Sequence, residues 1–277
     1  MLRAAWLTDI HLNFVKAPGV MRFLDSVLSL SPDIVLIGGD IGEARDLFAL
    51  LNKIEEGLRR PIYFVLGNHD YYFGSIAHVR AGVAQICAGS QYLRWLSNMG
   101  IVPLTSSTCL IGHDGWGDGR CGDYENSTVV VNDFLLIKEL AVAIPPGGTE
   151  LPRTNTKKNR ETIQKLGEDA ANYIGEELGK AVKMYRHVVL LTHVPPFREA
   201  AWHQGRISSD EYLPFFTCGA MGKVLLDIMG AHPDRRMTVL CGHTHGAGMV
   251  EMLPNLVCFT GDAEYGEPKV QRILEVE

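Results

Sequence analysis

The sequence predicts an α/β fold in a single domain, and three features lead there. Through the first seventy residues, short apolar runs alternate with longer amphipathic segments. Acids, amides and histidines fall where those short runs end, as they do in sheets whose strand ends build a site. A chain of 277 residues, 46% hydrophobic and 21% charged, is also long and apolar enough to bury one large core.

Residues 4–8, 34–37 and 62–66 read as strands, and 20–30 and 44–58 as helices. Strand, helix, strand, helix, strand is the rhythm of parallel neighbours joined by crossovers. Ser31-Pro32 and Arg60-Pro61 mark the helix exits, because proline disfavours helix in the residue before it. A helix is expected over 75–88 and strands over 101–104 and 108–112. Residues 113–123 carry Gly115, Gly117, Gly119 and Gly122 and read as a long irregular loop of the kind that often serves function.

Helical patterns return over 129–142 and 161–185. Between them, 145–157 opens on Pro145-Pro146-Gly147-Gly148 and reads as a mobile loop. A strand over 186–192, a core-facing helix over 221–230 and a strand over 237–241 follow. Shorter strands are expected around Met249, Val257 and Val270. No repeat, low-complexity tract or linker interrupts the domain, which spans 1–277.

Composition removes several function classes. A formal charge of −6 offers no general attraction to a nucleic-acid backbone, and the one compact basic run, Lys157-Lys158-Asn159-Arg160, reads as a solvated helix face. No stretch reaches 18 uninterrupted apolar residues, so no membrane span is expected. The first residues lack the features of a secretory signal, and six scattered cysteines form no Cys-x-x-Cys pair. Free, mostly buried thiols in a reducing cytoplasm are therefore expected. Nothing in the sequence signals an oligomeric state.

The chemistry lies in five clusters. Asp9 and His11 follow the first strand, Asp40 the second, and Asn68-His69-Asp70 the third; His193 follows the strand ending at Thr192, and His243 and His245 the one ending at Cys241. Strand ends gather along one edge of an α/β sheet, so these residues can converge although far apart in sequence. Asp9 and His11, like His243 and His245, are two residues apart, and in extended chain each pair faces one side. Glycines at 38, 39, 67, 242 and 246 allow sharp turns or close approach beside them. Nitrogen and oxygen donors without thiolate suit Mn, Fe, Zn, Co or Ni. Two divalent ions, two carboxylates and a hydroxide leave a charge of about +1, which welcomes a phosphate.

Asp9-Ile10-His11, Gly39-Asp40, Gly67-Asn68-His69-Asp70, Thr192-His193 and Gly242-His243-Thr244-His245 closely resemble the motifs of the calcineurin-like metallophosphoesterase superfamily, in the same order. The resemblance covers residues 9–245. It implies a four-layer αββα sandwich holding two divalent or mixed-valence transition-metal ions. Asp9, His11 and His245 would hold one ion, Asn68, His193 and His243 the other, with Asp40 bridging. A metal-activated hydroxide would hydrolyse a phosphoester, His69 would protonate the leaving alkoxide or stabilise the transition state, and Asp70 would support the neighbouring ligands.

Departures narrow the subfamily. Ile41-Gly42-Glu43 follows Asp40, so the tyrosine ligand of purple acid phosphatases is missing. Leu66 precedes Gly67 and Asp70 stands in place of Glu, unlike protein serine/threonine phosphatases. The pattern is nearer to bacterial-type phosphodiesterases and small-molecule phosphatases, with a small phosphorylated metabolite or nucleotide as the expected substrate. The alternatives are a nuclease of the same superfamily, disfavoured by the acidic charge, and a non-catalytic protein-binding scaffold, disfavoured by seven intact ligands.

For the pocket walls, His113, Asp114, Trp116 and Arg120 follow a predicted strand within the glycine-rich loop. Arg120 offers bidentate donors to phosphate and Trp116 an apolar wall, against the plainer reading of a packed surface loop. Trp202, His203 and Arg206 are candidates for the opposite wall. His78, His187 and His232 are read as structural or exposed.

Overall fold

The computed structural model describes residues 1–143 and 154–277. Its first third follows the predicted rhythm in β1 (Leu2–Leu7), α1 (Ala17–Ser29), β2 (Ile34–Gly38), α2 (Leu47–Leu58), β3 (Ile62–Val65) and α3 (Ile76–Gly89), and adds the unpredicted β4 (Leu93–Trp95). Then come β5 (Val102–Pro103), β6 (Thr108–His113), the one-turn α4 (Asp133–Leu136), α5 (Lys157–Met184) and β7 (His187–Thr192). The remainder is the small hairpin β8 (Trp202–His203) and β9 (Arg206–Ile207), then α6 (Leu213–Phe216), α7 (Gly219–Gly230), β10 (Arg236–Cys241), β11 (Gly248–Leu253), β12 (Leu256–Thr260) and β13 (Arg272–Val276).

Two sheets form. One has the order β13-β1-β2-β3-β4, parallel except for β13, and the other the order β11-β12-β10-β7-β6-β5, with antiparallel β11 and β5 at its edges. Alternation along the strands places them in layers. Ala4, Trp6, Ile34 and Leu36 of the first sheet share one buried cluster with Leu110, Val189, Leu191 and Leu240 of the second. Their sequence neighbours Ala5, Leu7, Val35 and Ile37 turn outward to α1, α2 and α3. Val188, Leu190 and Val239 likewise turn outward to α5 and α7. The result is helix, sheet, sheet, helix, the αββα sandwich implied by the resemblance.

Local chemistry sets most boundaries. Ser75 caps α3 by accepting from His78 N–H at 3.1 Å, and Thr156 caps α5 by accepting from Asn159 N–H at 3.1 Å. That second cap starts α5 four residues before its predicted start at 161. The helix expected over 129–142 contracts to α4, because Val129-Val130-Val131 lose side-chain freedom in a helix and stay extended beside the site. The strand expected around Val270 begins at Arg272. Of the loop expected over 145–157, residues 145–153 lie outside the described residues. Its end is ordered, with Thr154 buried and Thr156 at the helix cap. Among the described residues, no helix is long and apolar enough to cross a membrane.

Candidate metal centre

Parallel β1, β2 and β3 deliver Asp9, Asp40 and Asn68 to one edge of the first sheet, and β7 and β10 deliver His193 and His243 to the matching edge of the second. The loops then run side by side: Asp9 N–H donates to the Gly39 carbonyl at 3.1 Å and His11 N–H to the Asp40 carbonyl at 2.9 Å. The extended-chain expectation for Asp9/His11 and His243/His245 is corrected here. Asp9, His11, Asp40, His243 and His245 all have left-handed backbones, with φ of 50°, 40°, 52°, 69° and 55°. Each such non-glycine residue costs about 1 kcal/mol or more.

Glycine has a different task at these loops. A Cβ on Gly67 would lie 2.1 Å from Asp40 Oδ1, and one on Gly242 would lie 1.9 Å from Asp9 Oδ2. Close approach dominates, and Gly39 alone of the five predicted hinge glycines has a positive φ, 90°.

The seven predicted ligands come together as two adjoining groups. In the first, one ligand atom from each of Asp9, His11, Asp40 and His245 lies within 4.8 Å of all the others. His11 Nε2 is 3.1 Å from His245 Nε2 and 3.7 Å from Asp40 Oδ2, and His245 Nε2 is 3.5 Å from Asp9 Oδ1. Burial and the charge of Asp9 push the Asp40 carboxyl well above its usual range. Burial also acts to raise Asp9, but the surrounding histidines, His245 first, hold it well below the carboxylate range. Burial takes His11 down to about 2. Two carboxylates forced together without a counter-ion are unfavourable, and a cation between them reverses the sign.

In the second group, His193 Nδ1–H donates to the Gly38 carbonyl at 2.8 Å, and His243 Nε2–H to the Phe215 carbonyl at 3.2 Å. Those partners assign the tautomers and leave lone pairs on His193 Nε2 and His243 Nδ1. The Asn68 amide is oriented in the same manner, its Nδ2 donating to Asp133 Oδ1 at 2.8 Å and to Tyr72 Oη at 2.9 Å. Tyr72 in turn donates to Asp133 at 2.9 Å. Asn68 Oδ1, His193 Nε2 and His243 Nδ1 then meet at 3.0, 3.1 and 3.2 Å, three acceptors with no hydrogen among them. Such a triangle is repulsive unless a cation sits within it, so the donor set fits a metal ion.

Around the cage, Asp70 accepts from the N–H groups of Ile41, Gly42 and Gly67, all at 2.9 Å, and braces the β2 loop against the β3 loop. Burial pushes its carboxyl up to about 7 against those donors. His69 packs over Tyr72, with Nε2 4.0 Å from Asp40 Oδ2 and 3.5 Å from Tyr265 Oη. A cavity of about 350 Å³ opens beside the cage, and Tyr72, Val130, Val131, Phe215, Phe216 and Tyr265 supply its apolar wall.

The predicted walls divide. His203 lines the cavity and hydrogen-bonds the Thr244 carbonyl through Nδ1 at 2.9 Å. Trp202 instead covers Gly246 and Gly248, and Arg206 lies outside the lining. The loop after β6 is corrected from substrate wall to interior support. Trp116 is buried against Tyr71, and His113 is buried against Tyr173, its pKa lowered by burial to about 4. Arg120 is committed to Asp118 and Glu168, away from the cavity. Asp114 is a buried hub. Its carboxylate accepts from Leu66 N–H, Trp95, Ser97, Tyr71 and Arg80, and its carbonyl accepts from His193 N–H at 3.1 Å.

Sequence reasoning missed Tyr72, Asp133, Phe215, Phe216 and Tyr265. Tyr265 was within reach of the strand-end rule, since Gly261-Asp262-Ala263-Glu264-Tyr265 follows β12, which is parallel to β10. Phe215 and Phe216 follow no strand, and only the tertiary fold brings them here.

Two packed sheets with a nitrogen and oxygen cage at their strand ends form the framework of a phosphoesterase-like metal site. The chain belongs to the calcineurin-like phosphoesterase family, whose model matches residues 2–247. A "Transmembrane protein with metallophosphoesterase domain" from Danio rerio is 36% identical over 81 residues, 27% of this chain; the match spans only 18% of that protein's length. Among solved structures, a phosphopantetheinyl hydrolase from Mycobacterium tuberculosis superposes with a TM-score of 0.60 at 14% identity, covering 95% of this chain and 89% of that one. A dimetal phosphatase from Danio rerio gives 0.58 at 13% identity, covering 96% and 89%. These two likenesses show a common fold.

Proposed function

We propose that the chain, as one domain over 1–277, hydrolyses a small-molecule phosphoester at a dinuclear centre. In this reading Asp9, His11 and His245 hold one cation, Asn68, His193 and His243 the other, and Asp40 lies between them. The observation that carries it is the convergence of Asn68 Oδ1, His193 Nε2 and His243 Nδ1 with no hydrogen to share. When bound, two transition-metal ions supply Lewis-acid charge to phosphate oxygens and lower the pKa of water.

The chain's own residues do the rest. Asp40 spans the two groups, 3.7 Å from His11 and 3.5 Å from His193. Backbone carbonyls of Gly38 and Phe215 hold the His193 and His243 rings in the tautomers that present lone pairs. In this reading His69, which lines the cavity with Nε2 4.0 Å from Asp40, presents a proton to the leaving oxygen. Asp70 keeps the β2 and β3 loops in register beneath it. A cytoplasmic setting belongs to the same reading, supported by six free thiols, two of which, Cys241 and Cys258, have sulfurs 3.7 Å apart.

The test combines metal content with turnover. The protein is loaded separately with Mn, Fe, Zn, Co and Ni, the bound ions are counted, and p-nitrophenyl and bis-p-nitrophenyl phosphate are offered beside a chelated control. Two ions per chain and chelator-sensitive hydrolysis are expected. Binding of no ion, with no hydrolysis, points instead to the scaffold alternative.

A further inference from the structure

Which phosphoester enters depends on the cavity wall, and an inference about it rests on the hydrolytic reading of the same site. Among the described residues, no Lys or Arg lines the cavity. The arginine predicted for phosphate is held by Asp118 and Glu168, and Lys269, near Tyr265 in sequence, is held by Asp262. Beyond the cage, one further carboxylate, that of Asp133, lines the cavity among the described residues. A cage charge of about +1 balances one negative charge and leaves the second charge of a monoester dianion to be met by nothing further. A site selective for dianions adds guanidinium or ammonium donors, and none lines this wall among the described residues.

The same wall mixes polar and apolar surface, and its apolar part is gathered on a few side chains. Val130, Val131 and Phe216 are partly exposed, and Tyr265 is 50% exposed. Phe216 packs edge-on to His243 at 5.1 Å between ring centroids, and Tyr265 lies 4.6 Å from His11 and 4.9 Å from the exposed Phe14. Aromatic faces therefore stand on both sides of the cage, one against each group of ligands. Side chains left half in water at the mouth of a polar centre gain contact when an apolar group lies across them.

We propose that the cavity takes a phosphodiester bearing at least one aromatic or extended apolar alcohol, lodged between Phe216 and Tyr265. In the reaction, the oxygen of water bonds to phosphorus and one P–O ester bond breaks. One proton of that water ends on the departing alkoxide, and the other is released as the product monoester ionises. The products are an alcohol and a phosphomonoester.

Three probes share the p-nitrophenolate leaving group: bis-p-nitrophenyl phosphate, methyl p-nitrophenyl phosphate and p-nitrophenyl phosphate, each offered to the full chain loaded with the most active metal. The expected order of kcat/KM follows that sequence, with about tenfold between the two diesters. Phe216→Ala and, independently, Val130→Ser should narrow the gap between the diesters through KM while leaving the melting temperature and bound-metal count in place. Equal or faster turnover of the monoester overturns the proposal and leaves the hydrolytic reading intact. A gap between the diesters that is missing, or unmoved in both variants, overturns the apolar contact. Hydrolysis of none of the probes by protein holding two ions removes the hydrolytic reading, and the proposal with it.

Discussion

The two groups of the cage reach the same end by different physics. Asp9, His11, Asp40 and His245 are all held by left-handed backbone, and two of the four are carboxylates. In the other group only His243 is left-handed, and all three members are neutral donors whose orientation comes from partners elsewhere: Gly38, Phe215, Tyr72 and Asp133. The first group stores backbone strain and charge repulsion. The second stores unshared lone pairs. A cation would relieve both, so the contrast is between a candidate site prepared by local conformation and one prepared by distant hydrogen bonds.

The largest expected effect comes from the one residue common to both groups. Asp40→Asn should abolish turnover and lower the bound-metal count at both positions; metal analysis that finds two ions and a normal rate removes its bridging role. His69→Ala should keep both ions and cut kcat about 10²-fold. An unchanged kcat would separate His69 from the chemistry and leave it as packing on Tyr72.

Acid should loosen the support of the second group through His113. His113 Nδ1 accepts from Gly115 N–H at 3.1 Å, and the turn so fixed presents the Asp114 carbonyl to His193. The folded-state pKa of His113 is lowered to about 4, with Asp114 and Asp169 favouring its charge and Arg80 opposing it. The unfolded chain therefore binds the extra proton below about 6.5, and the folded chain only below about 4. Stability contributed by neutral His113 is present above pH 6.5 and lost as pH falls towards 4. His113→Asn, which can still accept from Gly115, should lose about 5 °C less in Tm across that window than the parent. Parallel pH profiles would refute this.

Asp133→Ala should free the Asn68 amide to turn and weaken one of two manganese-binding steps by about tenfold in calorimetry, leaving the other in place. Equal weakening of both steps would erase the distinction between the groups. Arg120→Ala should do least. With Asp118 still accepting from Gly219 and Ala220, the expected loss is about 1 kcal/mol in denaturant unfolding, with kcat and KM unchanged. A raised KM would return Arg120 to the substrate wall.

The contrast also explains what could be read in advance. The strands and helices of the first sheet were legible as short apolar runs alternating with amphipathic segments, but the layering came from the resemblance, because residues 4–7 and 34–37 are apolar at every position and do not say which side chain faces which layer. The seven candidate ligands could be picked out because each follows a strand, and the fold brings them to one place. The orienting partners were not, since Asp133 lies 65 residues from Asn68 and the Phe215 carbonyl is a backbone group without a sequence signature. The loop after β6 misled for a related reason. Its glycines suggested an exposed turn, yet Gly117 sits where a Cβ would meet the Phe215 carbonyl at 1.9 Å, so they permit dense packing.

That packing divides the molecule's freedom to change. No side chain larger than hydrogen fits at Gly67 or Gly242, so drift is blocked where the cage is built. Val130, Val131, His203, Phe216 and Tyr265 stand partly in solvent, where a change of side chain meets less resistance. Descendants of this chain can exchange those five and acquire new substrates while inheriting the reaction intact.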